Sequence, residues 1–210
     1  MMNAQDAMQK EVNENHGRYL ARKAFNRKFG YDVEQESAFI IEKARPIWGK
    51  ILEAGTGKGY FALALAREGF HFTSFDISGA EQKYALLNLM YYGMEKQVHL
   101  DIANAESLPY QDGSFDIIFS MNMIHHLSAA HRVCDEFTRV LALQGKMVLS
   151  DFNKQGLAVM EKIHAAEGRT HQAGPVSLVD MERLLKEHGF HTRFHRGDNQ
   201  DVLLAARSWT

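Results

Sequence analysis

Cysteine is almost absent from this chain: its 210 residues hold one, Cys134, in a helical pattern between His126 and Leu141. A single thiol excludes a disulfide framework and a thiolate metal cluster, and it fits a reducing cytoplasm. Long apolar runs are missing as well. Nowhere do roughly eighteen apolar residues stand together, and the polar, mixed-charge stretch 1–18 lacks the apolar segment of an export signal. Neither export nor a membrane span is expected. Charge of one sign is also lacking: the formal net charge is −2, and Lys, Arg, Asp and Glu are interspersed without a basic stripe to hold a phosphate backbone. Nucleic acid is therefore a poor candidate partner. Repeats and low-complexity tracts do not occur. The hydrophobic content, 45%, suffices for one substantial core, or a core with a small cap, and no second full domain is expected.

What is present centres on Glu53-Ala54-Gly55-Thr56-Gly57-Lys58-Gly59, which follows the apolar pair Ile51-Leu52 and precedes a helical pattern over 60–68. This reads as a strand, a glycine turn and a helix. Alternate glycines let the backbone take positive φ and approach a ligand, while the helix start presents unpaired N–H groups to it. A nucleotide-like cofactor suits such a turn. Dinucleotide sites follow Gly-x-Gly-x-x-Gly, and here the third glycine falls one residue early, with Tyr60 in its place, so a pyrophosphate fits less well. About twenty residues after the turn an apolar segment ends in Asp76, where a second parallel strand would set a carboxylate beside a ribose.

Short strand-like segments then alternate with longer helical ones, which predicts an α/β fold of βαβ units with a doubly wound, mostly parallel sheet. Strands are expected at 50–54, 71–76, 98–102, 115–121, 146–151, 190–195 and 202–207, and helices at 60–68, 79–92, 128–141 and 178–188, the last capped by Ser177. Ligands of such sheets bind beyond the carboxyl ends of the strands, so Glu53, Asp76, Asn104, Asn122 and Asp151 should face one crevice. Asp116, at the start of its strand, is expected to be structural, and 108–113 reads as a turn. Two segments lie outside the alternation, 5–44 and 152–176, and both are expected to form a lid where substrate choice resides. The first reads as two helices broken near Gly30-Tyr31, with Asp32 capping 33–45 and Pro46 ending it; the second holds an amphipathic piece, 157–166, and a loop through Gly168 and Gly174-Pro175. The expected organisation is a single domain, 1–210: a helical lid at 1–46, a cofactor-binding core at 50–151, a lid insertion at 152–176, and a last helix and strands at 177–207.

Several further segments accompany the turn in a fixed order: Ala103-Asn104-Ala105-Glu106-Ser107-Leu108-Pro109-Tyr110, Gly113-Ser114-Phe115-Asp116-Ile117-Ile118, His125-His126-Leu127, and Arg139-Val140-Leu141 leading to Gly145-Lys146-Met147-Val148-Leu149. From about 50 to 151 the chain thereby resembles the class I S-adenosylmethionine-dependent methyltransferases, in particular the small-molecule enzymes similar to those of ubiquinone and menaquinone biosynthesis. The resemblance implies a Rossmann-like sheet of seven strands with the last antiparallel, S-adenosylmethionine as cofactor and a small-molecule methyl acceptor. It further implies that Gly55, Thr56, Gly57 and Gly59 form the cofactor turn, that Glu53 helps hold the methionine ammonium, and that Asp76 takes the ribose hydroxyls. By the same resemblance Ile77 lies against the adenine, with Ala105 nearby, and Asn122 with Met123 lines the methionine side. Asn104 stands where many members carry Asp and would accept from the adenine amino group; this residue and Ala103, where glycine is common, depart from the family pattern.

A methyl acceptor with an O–H or N–H must shed its proton, and imidazole titrates near neutral pH, so His125 and His126 are candidate general bases, with His126 the better placed in the pattern. No metal is expected among the eleven histidines: His191 and His195 would lie about 13 Å apart along a strand, and His164, His171 and His188 show no ligand spacing. Tyr19, Tyr31 and Trp48 are aromatic candidates for packing on the acceptor. Two other readings stay open, a nicotinamide-dependent oxidoreductase, against which stand the early third glycine and the lack of a Tyr-x-x-x-Lys pair, and a non-catalytic S-adenosylmethionine-binding protein. A homodimer is left open too.

Overall fold

The computed structural model describes residues 3–170 and 174–209, and its strands are β1 (Ile51–Ala54), β2 (Phe72–Asp76), β3 (Val98–Ile102), β4 (Phe115–Met121), β5 (Leu141–Phe152), β6 (His191–Arg196) and β7 (Gln200–Ala206). They form one sheet in the order β3-β2-β1-β4-β5-β7-β6. The first five pair in parallel and β7 runs antiparallel to both its neighbours. Strand order reverses between β1 and β4, which opens a crevice at their carboxyl ends.

Helices cover both faces. On one lie α1 (Ala4–Arg27), α2 (Val33–Ala44), α3 (Tyr60–Arg67), α4 (Gly79–Tyr91) and α6 (Lys154–Ala166); on the other lie α5 (Ala130–Val140) and α7 (Leu178–Glu187). The two cores reflect strand alternation: Ile51, Ile117 and Phe119 point to the first face, Leu52, Ile118 and Leu149 to the second. Cys134 is buried in α5. Asp32 caps α2, and Ser177 with Asp180 forms a capping box on α7.

Some expectations change. β5 begins at Leu141 rather than 146, because its ladder with β4 starts at Phe115, shifts register, and resumes at Ile117. Gly145 lies in that shift, where a Cβ would sit 2.7 Å from the Asp116 carbonyl oxygen. Asp116 is structural, its Oδ2 accepting from Lys50 N at 2.7 Å. The larger change concerns 1–46 as a lid. Ile40, Ile41 and Ala44 of α2 are buried in the first core, so α2 is a layer of the sandwich. Only the stretch from Arg22 to Val33 reaches the crevice. Trp48 lies at the opposite, amino end of the sheet, under the Lys146 ammonium, whose Nζ donates to the Ala44 and Pro46 carbonyls and ties α2 to β5. It is too far down the sheet to meet an acceptor.

Among the described residues no helix is long and apolar enough to cross a membrane, and no cluster of three His, Cys, Asp or Glu side chains is arranged for a metal. His171 lies outside the described residues.

Candidate active site at the carboxyl ends of the strands

Two cavities, rather than one crevice, open at the strand ends. The first, about 350 Å³, is lined by Glu53, Gly55, Thr56, Gly57, Asn122, His125 and His126, and by Arg22, Asn26, Tyr31, Phe152, Met160, His164 and Arg169 from the segments outside the alternation. Phe75, Asp76, Ile77, Ala103, Asn104, Ala105 and Met123 line the second, about 260 Å³. They share Gly55 and His126. A Cβ on Gly55 would lie 3.0 Å from the Met123 side chain, so the missing side chain lets Met123 rest on the turn where the cavities meet. Asp151 lines neither cavity, contrary to expectation: it is 3% exposed and turned toward His125.

The glycine turn works differently from the sequence reading. Gly55 N and Thr56 N donate to the Phe75 carbonyl at 2.9 and 3.0 Å, Gly59 N to Thr56 O at 2.9 Å, and Gly57 N to Asp76 Oδ2 at 2.7 Å. These N–H groups are committed to the protein, so the turn is a shape and not a phosphate cradle. Gly59 lies outside the lining of both cavities. Its φ is +79°, and a Cβ there would come within 2.7 Å of Ala85 Cβ, so its role is the close approach of α3 to α4. The Thr56 hydroxyl lies 2.5 Å from Ser74 Oγ and accepts from Gln82 Nε2 at 3.3 Å, fastening the turn to β2 and α4.

Glu53 pairs in register with Ser74 and is 1% exposed, and Ser74 Oγ donates to its carboxylate. Burial pushes its pKa up to about 7; the Ser74 hydrogen bond opposes this and the Asp76 charge adds to it. Asp76 accepts from Gly57 N and, at 2.8 Å, from Ser78 N, which leaves lone pairs for a ligand. Ile77 is 71% exposed at the lip of the second cavity, opposite Ala103 and Ala105. Asn104 lines the same cavity, but its Oδ1 accepts from Glu106 N at 2.9 Å and so is partly engaged in its own turn. Asn122 takes a left-handed backbone, φ 58°, the one non-glycine residue with positive φ among those described. Gln200 Nε2 donates to Asn122 Oδ1 at 2.7 Å and to Tyr31 Oη at 3.0 Å.

Residues 52–149 match the family described as methyltransferase domain. Over 103 residues the chain is 34% identical to a glycine/sarcosine/dimethylglycine N-methyltransferase of Actinopolyspora halophila, covering 49% of this chain and 18% of that one. It is 30% identical to a ubiquinone biosynthesis O-methyltransferase of Xylella fastidiosa, covering 60% of this chain and 52% of the relative. The chain thus spans about half the length of the second curated relative and less than a fifth of the first. The solved structure of an S-adenosylmethionine-dependent methyltransferase from Aquifex aeolicus superposes with a TM-score of 0.64 at 19% identity, over 80% of this chain and 88% of that one. The fold is that of the class I S-adenosylmethionine-dependent methyltransferases.

The residues present fit the cofactor of these methyltransferases. A buried carboxylate, Glu53, offers an acceptor to an ammonium in the first cavity; Asp76 and the apolar walls of the second suit a ribose and a base. Tyr31 faces the first cavity as expected, whereas Tyr19 stacks on Tyr60 at 5.1 Å outside it. The sequence reading missed Arg22, Asn26, Phe152, Met160 and Arg169 in the cavity wall, and Gln200 behind it. Arg22 and Asn26 did carry a signal, being four apart on one helix face.

Proposed function

We propose that this chain transfers the methyl group of S-adenosylmethionine to a small-molecule acceptor and releases S-adenosylhomocysteine, and that it stands with the enzymes similar to those of ubiquinone and menaquinone biosynthesis. The observation that carries the reading is a buried carboxylate, Glu53, in a cavity that meets at Gly55 a second, largely apolar cavity holding Asp76. When bound, the cofactor supplies a methyl group already activated on a sulfonium sulfur, so no nucleophilic side chain is needed. Glu53 holds the ammonium, Asp76 the ribose hydroxyls, and Ile77, Ala105 and Asn104 border the adenine. Asn122 shapes the methionine end. The segment from Arg22 to Val33 and helix α6 close over the first cavity and exclude water around the acceptor, so that alignment contributes several kcal/mol, on the order of the known advantage of bringing reactants together.

The committed N–H groups of the glycine turn count against a pyrophosphate and so against the nicotinamide reading. Calorimetry with S-adenosylhomocysteine and with NAD tests the choice. Micromolar binding of the first is expected; binding of NAD alone would overturn the proposal. A methyl-transfer screen over metabolite pools, read by mass shift, separates an enzyme from a protein that only binds the cofactor.

A further inference from the structure

We infer that Arg22 and Arg169 form a carboxylate-binding subsite at the end of the first cavity that borders α1 and α6, and that the methyl acceptor is a small molecule whose own carboxylate takes the place Glu167 holds in this structure. The inference rests on the methyltransferase reading.

The cations of α1 divide into two sets. Lys23 and Arg27 are each matched from the start of α2: Lys23 Nζ lies 2.5 Å from Glu34 Oε1, and Arg27 Nε donates to Asp32 Oδ2 at 2.7 Å. Arg18 and Arg22 have no such match. Arg18 makes no ion pair among the described residues, and Arg22 has only a shared one. Its Nη1 donates to Glu167 Oε1, while Arg169 Nη2 donates to Glu167 Oε2, so two guanidinium groups divide one carboxylate. The Nε and Nη2 groups of Arg22 have no partner among the described residues. Burial lowers the Arg22 pKa, Tyr60 opposes this and the Arg169 charge adds to it, the direction expected of a cation short of counter-charge. Glu167 itself caps the carboxyl end of α6, where the helix dipole disfavours a negative charge. A carboxylate on a ligand, free of that dipole, competes for the same arginines.

A third cavity, about 700 Å³, opens between α1 and α4 and meets the first at Arg22, Lys58, Tyr60, Glu81 and Arg169. Five cations line it: Arg18, Arg22, Lys58, Lys83 and Arg169. Three carboxylates oppose them, Glu11, Glu81 and Glu167. Lys83 pairs with Glu11 at 2.5 Å and Lys58 lies 3.8 Å from Glu81, so the surplus charge sits on the arginines. A positive wall in a chain of formal net charge −2 gathers anions at this entrance.

Asn26, one turn along α1 from Arg22, also lines the first cavity. It is 8% exposed, and its buried Oδ1 has no hydrogen-bond partner among the described residues. A buried acceptor of this kind calls for a donor, so the acceptor molecule brings an O–H or N–H as well as the carboxylate. The cofactor's own carboxylate is not the occupant. It is attached to the carbon that bears the ammonium and so stays beside Glu53, which lines the first cavity and not the third, whereas Glu167 lines the third and not the first.

The first test needs no turnover. Acetate, acetamide and inorganic phosphate are titrated against ¹⁵N-arginine-labelled Glu167→Gln, in which the competing carboxylate is gone, with and without S-adenosylhomocysteine. Acetate should move the Arg22 Nε signal saturably and acetamide should leave it in place. No movement with acetate, or movement with phosphate alone, overturns the subsite. The second test separates metabolite pools by anion exchange before the methyl-transfer screen, with a deuterated methyl group on the donor. Label should enter carboxylic acids, and label confined to neutral, cationic or phosphorylated compounds overturns the acceptor class. On the acid so found, Arg22→Gln should raise KM about 10-fold or more, the scale of a charge-assisted hydrogen bond, while Glu167→Gln should lower it. An ion pair that only braces the fold would raise KM in both variants, which refutes the proposal. S-adenosylhomocysteine affinity should be nearly unchanged in Arg22→Gln; weaker binding of it, with unchanged binding of its decarboxylated analogue, would give Arg22 to the cofactor instead. Failure of the methyltransferase reading is seen separately, as wild-type protein that binds no S-adenosylhomocysteine although acetate still moves the Arg22 signal.

Discussion

Asn122 Nδ2 donates to Tyr31 Oη at 3.1 Å, joining the end of β4 to the turn between α1 and α2 across 91 positions of sequence. Ser150 Oγ donates to Gln200 Oε1 at 2.9 Å, and Gln200 in turn bonds both Asn122 and Tyr31, so the left-handed conformation of Asn122 is held by a buried network from three strands and the turn.

Removing the Tyr31 hydroxyl takes one acceptor from two amide groups, the buried Gln200 and the half-buried Asn122. Tyr31→Phe is expected to lower the unfolding free energy by about 1–3 kcal/mol, measured by urea denaturation. An unchanged midpoint would show that the network does not hold the turn.

Glu53 makes cofactor affinity depend on pH. Its folded pKa, raised by burial from 4.5 to about 7, means that the folded state binds this proton more tightly than the unfolded chain does. Its stabilising contribution is therefore full below about pH 4.5 and is lost as pH rises through about 7. Ligand-free Glu53→Gln should accordingly be at least as stable as wild type at about pH 8. Affinity for S-adenosylmethionine runs the other way, since the ammonium needs the ionised carboxylate. Calorimetry should show wild-type affinity rising several-fold between about pH 6 and pH 7.5, where the ligand's ammonium is still mostly protonated, with Glu53→Gln weaker and nearly flat over that range.

Two glycines of the turn should respond differently to alanine. At Gly59 the new methyl meets Ala85 Cβ at 2.7 Å and the backbone is left-handed, so Gly59→Ala should lose about 2–4 kcal/mol of stability. Gly57, φ +50°, has nothing within 4 Å of the added Cβ; Gly57→Ala should lose only about 1–2 kcal/mol while weakening S-adenosylhomocysteine binding, because Gly57 lines the first cavity. Thermal melts and calorimetry on both variants check the contrast, and equal melting temperatures would contradict it.

Asp76 holds the turn and is proposed to hold the ribose. Asp76→Ala should weaken S-adenosylmethionine binding by the order of 1–3 kcal/mol, the penalty for unpaired hydroxyls. Unchanged affinity in a folded variant would remove Asp76 from the cofactor site.

The alternation of strand and helix, the caps at Asp32 and Ser177 and the positions of Glu53 and Asp76 were legible because each rests on residues near one another in the chain. Local periodicity and turn chemistry state which face a residue presents and where a strand stops. The register shift that lengthens β5 left no such local mark, since it depends on Gly145 meeting Asp116 across the ladder.

By itself, then, the sequence determined a doubly wound sheet, a cofactor-type turn without the dinucleotide spacing, and carboxylates at two strand ends. The tertiary structure alone decided how those pieces meet. It committed the turn's N–H groups to Phe75 and Asp76, moved Gly59 from the site to a helix contact, divided the crevice at Met123, brought Arg22 and Asn26 into its wall, and gave Asp151 to His125 rather than to the cavity. Each of these is a contact across the fold. Hydrogen bonds and close packing act over a few ångströms whatever the separation in sequence, so neighbours far apart in the chain are known only once the sheet has set them side by side.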